Sequence, residues 1–242
     1  MTQGLVAAGL SKRFGGHRAV REASFRVPPG TIVGLIGPNG SGKTTTLNLL
    51  NGVLRPDAGS ITVDGVELAG RSSREFVRRG ITRTFQTTRV FSTVTALENL
   101  LIPTLHTRLA RRELHRRAEG LLEFAGLSAH RDTAASELSG GQQKLLEFVR
   151  ALMTGPNTVL MDEPFAGVHP SLKETMRERI RQRNEEGTSF VVVSHEIPDL
   201  MRLSDEVVCM SDGAVICHGS PQEVSEDTRV IEAYLGAAGR AS

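Results

Sequence analysis

Short apolar runs alternate along the chain with segments in which apolar residues recur every three or four positions. The clearest apolar runs cover residues 31–36, 81–85, 158–161, 189–193 and 206–210. Runs of this length predict buried strands, and the segments between them predict crossover helices. Their alternation is typical of an α/β fold with a mainly parallel core sheet.

Two early segments have a different pattern. Residues 24–27 are followed by Pro-Pro-Gly, and residues 60–63 are followed by Asp64 and Gly65. Both endings are signals of tight turns between antiparallel strands. We therefore expect an antiparallel β flank near the N-terminus.

The middle of the chain is helical in pattern. Leucine and alanine recur at helical spacing within residues 95–154, and no run there predicts a strand. We expect one domain, 1–242, whose core is formed by 1–87 and 156–242 and interrupted by a helical subdomain at about 88–155.

Composition limits the possible function classes. The 242 residues are 39% hydrophobic and 23% charged, which is ordinary for a folded protein. A formal net charge of only +2 gives no overall field for nucleic acid, so no nucleic-acid partner is expected. Two cysteines are too few for a disulfide framework. No apolar stretch approaches the ~20 residues that span a bilayer.

A phosphate-binding loop follows the first predicted core strand. The pattern G-x-x-x-x-G-K-[ST] is filled at every fixed position, and residues 44–51 after it predict a helix. Glycines allow backbone N–H groups to surround phosphate oxygens, and the helix start adds partial positive charge. Lys43 adds a full charge, and Thr44 offers a hydroxyl to Mg²⁺. The nucleotide-binding residues predicted here are Gly37, Pro38, Asn39, Gly40, Ser41, Gly42, Lys43, Thr44 and Thr45.

Two acids end the apolar run 158–161. Asp162 is expected at the carboxyl end of a strand, where it can hold the water shell of Mg²⁺. Glu163 follows one residue later and can polarise an attacking water as the catalytic base. The sequence therefore predicts a nucleoside triphosphatase that uses Mg²⁺.

These two motifs occur in several classes of phosphate-loop protein, and a third motif separates the classes. Residues 138–143 read Leu-Ser-Gly-Gly-Gln-Gln and precede a predicted helix at 142–153. This resembles the signature motif of the ATP-binding cassette (ABC) family. The resemblance implies the P-loop NTPase ABC-cassette fold, with a RecA-like core and ATP as the nucleotide. In that family each ATP is sandwiched between the phosphate loop of one subunit and the signature of a second. The signature residues assigned to the nucleotide are Ser139, Gly140, Gly141 and Gln142.

The resemblance extends to three single residues. Phe14 matches the aromatic residue that stacks on adenine, and Gln86 matches the glutamine that contacts Mg²⁺. His195 matches the catalytic switch histidine that contacts the γ-phosphate. One segment departs from the family, because residues 166–169 read Ala-Gly-Val-His where Ser-Ala-Leu-Asp is usual. Versions of this segment that contain Gly occur in the importer branch for branched-chain amino acids, but with Asn in place of His169. The role of this segment in signalling between the two ATP sites is therefore not carried over from the family.

Finer features resemble the importer ATPases for branched-chain amino acids, notably residues 83–86 (Arg-Thr-Phe-Gln) and 231–236 (Ile-Glu-Ala-Tyr-Leu-Gly). Importers of urea, amides or other amino acids look similar and remain open as cargo classes. The resemblance implies a second ATPase subunit, identical or not, integral membrane permease subunits, and indirectly a substrate-binding protein. It also implies a peripheral position at the cytoplasmic face of the inner membrane.

Two other function classes remain open. A soluble ABC ATPase acting on ribosomes or DNA would usually carry two cassettes or long coiled-coil insertions, and neither pattern is present. A non-catalytic nucleotide sensor is disfavoured because Glu163 and His195 are both present.

Overall fold

Two sheets form the β structure of residues 4–84, 89–105 and 109–238, which are the residues that this computed structural model describes. The first sheet is antiparallel and has the order β2-β1-β4-β5, with β1 at Leu5–Phe14, β2 at His17–Val27, β4 at Ala58–Val63 and β5 at Val66–Glu67. The second has the order β10-β9-β3-β8-β7-β6, with β3 at Ile32–Ile36, β6 at Ile81–Arg83, β7 at Thr158–Asp162, β8 at Ser189–Val193, β9 at Glu206–Ser211 and β10 at Ala214–Gly219. The predicted α/β fold class is confirmed.

The predicted core strands all exist, with small changes of boundary. Strand β6 ends at Arg83, and residues 85–88 lie outside the described part of the chain. Strands β1 and β10 were not predicted. Register shifts interrupt the pairing of both strands, as between Ala7 and Leu10. Each shift breaks the alternation of apolar and polar residues from which a strand is predicted.

The α-helices lie between the strands and after the last of them. They are α1 Lys43–Leu50, α2 Ser73–Arg78, α3 Ala96–Leu101, α4 Arg111–Phe124, α5 Gly140–Leu152, α6 Pro170–Glu185, α7 Ile197–Leu203, α8 Pro221–Glu226 and α9 Thr228–Ala238. Helix α3 begins with a capping box, in which Thr95 Oγ1 accepts from the Glu98 N–H at 3.2 Å and Glu98 Oε2 accepts from the Thr95 N–H at 2.8 Å. Short 3₁₀ turns lie at Ile102–Thr104, Ser128–His130 and Ala135–Glu137. The described residues between 95 and 154 contain no strand, as the pattern predicts.

The second sheet separates two groups of buried side chains. On β3, Ile32 and Ile36 join the group that contains the buried faces of α3, α4 and α5. Val33 and Leu35 point to the opposite side and join the core beneath the antiparallel sheet. This alternation of sides is the period-two geometry of a strand that is buried on both faces. The helical stretch therefore packs on one face of the sheet and the β flank on the other.

Parallel pairing fixes where the chain leaves the sheet. Strand β8 pairs in parallel with β3 on one side and with β7 on the other, and β6 pairs in parallel with β7. The carboxyl ends of these four strands consequently lie along one edge, which is the usual ligand-binding edge of an open α/β sheet. The segments that follow them, beginning at residues 37, 84, 163 and 194, all start at that edge.

Candidate functional site

The loop between β3 and α1 has a backbone that only glycine tolerates at two positions. Gly37 has φ +145°, and a Cβ there would lie 2.1 Å from the Met210 carbonyl oxygen. Gly42 has φ +102°, and a Cβ there would lie 2.4 Å from the Ala19 carbonyl oxygen. The glycines of the phosphate-loop motif are therefore required by the close approach of neighbouring backbone.

Lys43 begins α1, and its side chain curls back into the loop. Its Nζ donates to the carbonyl oxygens of Gly37 at 2.7 Å and Pro38 at 2.9 Å. The residue is buried, and burial lowers the pKa of Lys43, while Glu163 and Asp162 oppose that shift. The ammonium group is thus held next to the open helix start, where an anion gains from both the charge and the unpaired N–H groups.

Asp162 and Glu163 emerge at the carboxyl end of β7, as predicted. Both are buried, with 3% and 5% of their surface exposed. Glu163 has φ +51°, a left-handed conformation that a residue of this type adopts only when its surroundings impose it. Its N–H donates to the Val193 carbonyl oxygen at 2.9 Å, so the strand pairing continues past the end of β7. This backbone turn separates the directions of the two neighbouring acids.

His195 follows β8 and contacts Glu163 through both backbone and ring. The His195 N–H donates to Glu163 Oε2 at 3.1 Å, and the ring Nε2 lies 3.4 Å from Oε1. Burial raises the pKa of Glu163 above its ordinary value, although the bond from the His195 backbone and its ring lower it in part. Glu163 is therefore placed as a base whose proton affinity exceeds that of a solvated carboxylate.

These groups line a single cleft of about 310 Å³. Phe14, at the end of β1, forms part of its wall and is 48% exposed, so its ring face is available to a ligand. The lining also includes His17, Ala19 and Val193. The predicted site residues in the lining are Phe14, Asn39, Gly40, Ser41, Gly42, Lys43, Thr44, Thr45, Asp162, Glu163 and His195. Residues that lie far apart in the sequence are thus brought together at one edge of the sheet.

The signature residues lie elsewhere. Ser139 is the N-cap of α5: its Oγ accepts from the Gln142 N–H at 3.3 Å, and Gln142 Oε1 accepts from the Ser139 N–H at 2.9 Å. Ser139 and Gly140 are exposed. Among the described residues that line the cleft, none comes from 138–143. Within one chain, the signature helix start and the phosphate loop therefore do not share a cavity.

Two further predictions have different outcomes. Gln86 lies outside the described residues, so its predicted position stays a prediction.

His169, in the segment that departs from the family, is the N-cap of α6, and its Nδ1 accepts from the Ser171 N–H at 3.4 Å. An Asn at an N-cap makes the same kind of bond, so His169 replaces it without loss of the cap.

Two contacts to the site were not predicted from the sequence. Tyr234, on α9, accepts a hydrogen bond from the Gly37 N–H at 2.8 Å, and burial raises the pKa of its phenol to about 12. Arg83, at the end of β6, donates from Nη2 to Asp162 Oδ2 at 2.8 Å. Both residues stand in segments whose sequence resembles the importer branch, and that resemblance was the only available signal.

The residues of the cleft fit a nucleotide with Mg²⁺. Ser41 Oγ and Glu163 Oε1 are buried and have no hydrogen-bond partner among the described residues, and they lie at a cavity that has room for a ligand. The Thr44 hydroxyl and the Asp162 carboxylate supply hard oxygen donors in the same cleft. A site with few protein ligands, all of them oxygen, is the kind that holds Mg²⁺ together with substrate phosphates.

Comparison with known families gives two matches along the chain. The ABC transporter family matches residues 20–166, and the branched-chain amino acid ATP-binding cassette transporter family matches residues 214–240. Within the described ranges, no helix is both long enough and apolar enough to cross a bilayer.

Curated relatives cover nearly the whole chain. A probable branched-chain amino acid transport ATP-binding protein (LivG) of Archaeoglobus fulgidus is 38% identical, over 96% of this chain and 95% of its own length. A high-affinity branched-chain amino acid transport ATP-binding protein (BraF) of Pseudomonas aeruginosa is 36% identical, over 97% and 98%.

Solved structures agree with the fold. An ATP-binding cassette of an ABC transporter in its ADP conformation has a TM-score of 0.88 at 34% identity, covering 98% of this chain and 99% of that one. A dimeric cassette in a post-hydrolysis state, bound to ADP and Pi, has a TM-score of 0.80 at 26% identity, covering 90% and 98%.

The nucleotide chemistry of this chain follows from that membership and from its cleft: it binds ATP and hydrolyses it. The chain belongs to the ATP-binding family of ABC transporters, and within that family to the branched-chain amino acid transport ATP-binding proteins.

Proposed function

We propose that hydrolysis of ATP in this cleft powers the import of branched-chain amino acids across a membrane. The observation that carries the proposal is the convergence of four separate segments on one cavity, namely the phosphate loop, Phe14, the acid pair after β7 and His195. The relatives named for branched-chain amino acid transport support the choice of cargo.

In the proposed binding step, adenine stacks on Phe14 and the phosphates lie in the loop 37–45. Lys43, now bonded to two loop carbonyls, exchanges these partners for phosphate oxygens. A full charge at ~4 Å with an effective dielectric of about 20 is worth ~4 kcal/mol, so Lys43 makes a large contribution to affinity.

Hydrolysis is assigned to the acids and His195. Thr44, Asp162 and Gln86 would hold Mg²⁺, which neutralises charge on the phosphates when bound. Glu163 polarises the attacking water, and His195, already bonded to Glu163 through its backbone, contacts the γ-phosphate with its ring. The buried position of Glu163 strengthens these electrostatic interactions because water is largely excluded.

We propose that the complete site needs a second ATPase subunit. The exposed helix start at Ser139 would face the γ-phosphate held by the partner, because its N–H groups and positive dipole end suit an anion. The dimeric arrangement of the ADP- and Pi-bound cassette supports this assembly. Loss of the shared phosphate after hydrolysis then opens the dimer.

The proposed partners in the membrane are the permease subunits, and they would contact a segment that lies outside the cleft. The segment 87–100 would pass the opening and closing movement to integral membrane permease subunits, and a substrate-binding protein would deliver cargo to them. The division into a core (1–87 and 156–242) and a helical subdomain (88–155) supplies the two bodies that move. We propose that the chain is a peripheral subunit at the cytoplasmic face of the membrane.

Replacement of Glu163 by Gln tests the catalytic part of the proposal. Glu163→Gln keeps the size of the side chain but removes the base, so hydrolysis is expected to slow by ~10²–10⁴ while ATP affinity is retained. Turnover comes from phosphate release and affinity from titration with a fluorescent ATP analogue. A variant that hydrolyses ATP at the normal rate would remove Glu163 from the role of base.

Cargo is tested separately. In vesicles that contain the cognate permeases and binding protein, ATPase activity should rise with leucine, isoleucine or valine and stay at its basal rate with urea or short amides. Stimulation by urea alone would assign the chain to the other importer class.

A further inference from the structure

A buried guanidinium joins three elements of the nucleotide site. Arg83 is the last residue of β6, and its Nη2 donates to Asp162 Oδ2 at 2.8 Å. Its Nη1 donates to Asn48 Oδ1, on the helix that begins at Lys43. The side chains of Arg83 and Asp162 are only 6% and 4% exposed. A single side chain thus contacts the strand of the predicted metal ligand and the helix of the phosphate loop.

Stability alone does not account for such a pair, because burying two charges costs free energy that their attraction only partly returns. What an arginine adds is geometry. Its planar fork donates in fixed directions, so two acceptors on different elements are held at a set distance and angle. Lysine has a compact charge without that fork and cannot fix two acceptors in the same way.

The position of Arg83 in the chain adds a second connection. Its strand is the neighbour of β7 in the sheet, and its backbone leads within three residues to Gln86. Asp162 and Gln86 are two of the residues predicted to hold the metal. Arg83 contacts the first through its side chain and precedes the second by three positions in the sequence.

We propose that Arg83 is a positioning residue for Mg²⁺-nucleotide binding, which holds the Asp162 carboxylate in the orientation that receives the metal. Asn48 is its second anchor and keeps the guanidinium from following Asp162 when a ligand enters. The inference rests on the proposed role of Asp162 as a metal ligand. It assigns no chemical step to Arg83, which acts only through Asp162.

The test measures how strongly Mg²⁺ improves ATP binding. In the Glu163→Gln background, which prevents turnover, a fluorescent ATP analogue is titrated once with excess Mg²⁺ and once with EDTA. The ratio of the two dissociation constants is the Mg²⁺ enhancement. Arg83→Lys keeps the charge, so electrostatic repulsion of the metal is unchanged, but it loses the two-way grip. The expected result is a Mg²⁺ enhancement about tenfold smaller, or about 1.4 kcal/mol, with affinity in EDTA unchanged within about twofold.

Two further variants separate positioning from a general structural role. Asn48→Ala leaves the ion pair in place and removes the second anchor, so the enhancement should fall by a smaller factor, about threefold. This milder variant also carries the test if Arg83→Lys does not fold. Arg181→Lys is the matched control, since Arg181 also pairs with an aspartate, Asp205, at 2.8 Å but does so at the surface. It should leave the enhancement unchanged.

Asp162→Asn distinguishes failure of this inference from failure of the proposed site. If Asp162→Asn abolishes the Mg²⁺ enhancement while Arg83→Lys and Asn48→Ala leave it within twofold of the parent, the positioning role of Arg83 is overturned. If Asp162→Asn itself leaves the enhancement intact, the metal role of Asp162 is wrong and the inference falls with it.

Discussion

The two phosphate-directed regions of this chain differ in how complete they are. The phosphate loop opens into a cleft that already contains a lysine, two adjacent acids and a histidine, which come from three different segments. The signature helix begins with an equally well-formed cap at Ser139 but is exposed to solvent. One region has most of the groups of a nucleotide site in one cleft, whereas the other is proposed to complete the site of a second subunit.

Because of this difference, a single copy is expected to bind nucleotide but not to hydrolyse it quickly. A single copy can bind nucleotide at the loop, because the charge, the helix start and the aromatic wall are all its own. It cannot surround the γ-phosphate, because the second helix start does not reach the cleft. In the proposed cycle, closure and fast hydrolysis therefore require another subunit, and variants of the two regions should fail in different ways.

The largest expected effect is on binding by the loop. Lys43→Ala removes a charge worth ~4 kcal/mol at contact distance, so nucleotide affinity should fall by about 10³-fold. Titration with a fluorescent ATP analogue measures this. Arg181→Ala is the control, because Arg181 pairs with Asp205 at 2.8 Å at the surface, outside the cleft, and its loss should change affinity little. Unchanged affinity in Lys43→Ala would count against the nucleotide site itself.

A variant of the signature should lose turnover and keep ATP affinity, in contrast to Lys43→Ala. A Cβ on Gly140 meets no atom within 4 Å, so Gly140→Asp is expected to fold. The added negative charge at the helix start opposes a phosphate held by the partner. ATP affinity of the single chain should stay within about twofold, while turnover falls by about 10²-fold. Loss of affinity together with turnover would mean that the two regions act in one chain.

The decrease of ATPase activity at low pH should follow the protonation of Glu163. Its pKa lies above the ordinary 4.5 because it is buried, and it acts as a base only when deprotonated. As pH falls through that raised pKa, kcat/KM should drop about tenfold per pH unit, with the midpoint above 4.5.

The raised pKa of Glu163 also means that the folded state binds the proton more tightly than the unfolded chain. The contribution of Glu163 to stability therefore decreases as pH rises between 4.5 and the raised value. Circular dichroism across the range checks folding, and a midpoint at or below 4.5 would contradict the assignment.

The smallest expected effect concerns the C-terminal helix. Tyr234→Phe removes only the hydroxyl that accepts from the Gly37 N–H, a bond worth about 1 kcal/mol, so ATP affinity should weaken by about fivefold. Turnover at saturating ATP should be unchanged, since the hydroxyl contacts the loop start and not the acids. An equal loss in kcat would show that the helix does more than support the loop.

The sequence predicted the motifs formed by consecutive residues but not the contacts between residues far apart in the chain. The phosphate loop could be predicted because its glycines, lysine and flanking strand are consecutive, and the acid pair because it ends an apolar run. The bond between Gly37 and Tyr234 joins residues 197 positions apart, and no periodicity signals it. Arg83 meets Asp162 only because β6 and β7 are neighbours in the sheet, which depends on topology. Strand β1 was not predicted because bulges interrupt its alternation of apolar and polar residues.

The role of His169 lies between these cases. It was recognised as a departure from the family, yet its place directly before Pro170 is a sequence signal for the start of a helix. A polar side chain at that position predicts an N-cap whether it is Asn or His. The cap accounts for the local fold of this segment, while its effect on signalling between two ATP sites stays a prediction.

In the proposed assembly, one ATP is enclosed by the loop of one copy and the signature of another. Light scattering of Glu163→Gln protein at high concentration, with and without ATP and Mg²⁺, tests it most directly. The Glu163→Gln protein should have the mass of two chains only when ATP is present, and the mass of one chain when Gly140→Asp is added. A Glu163→Gln protein that is saturated with ATP and still has the mass of one chain would contradict the claim.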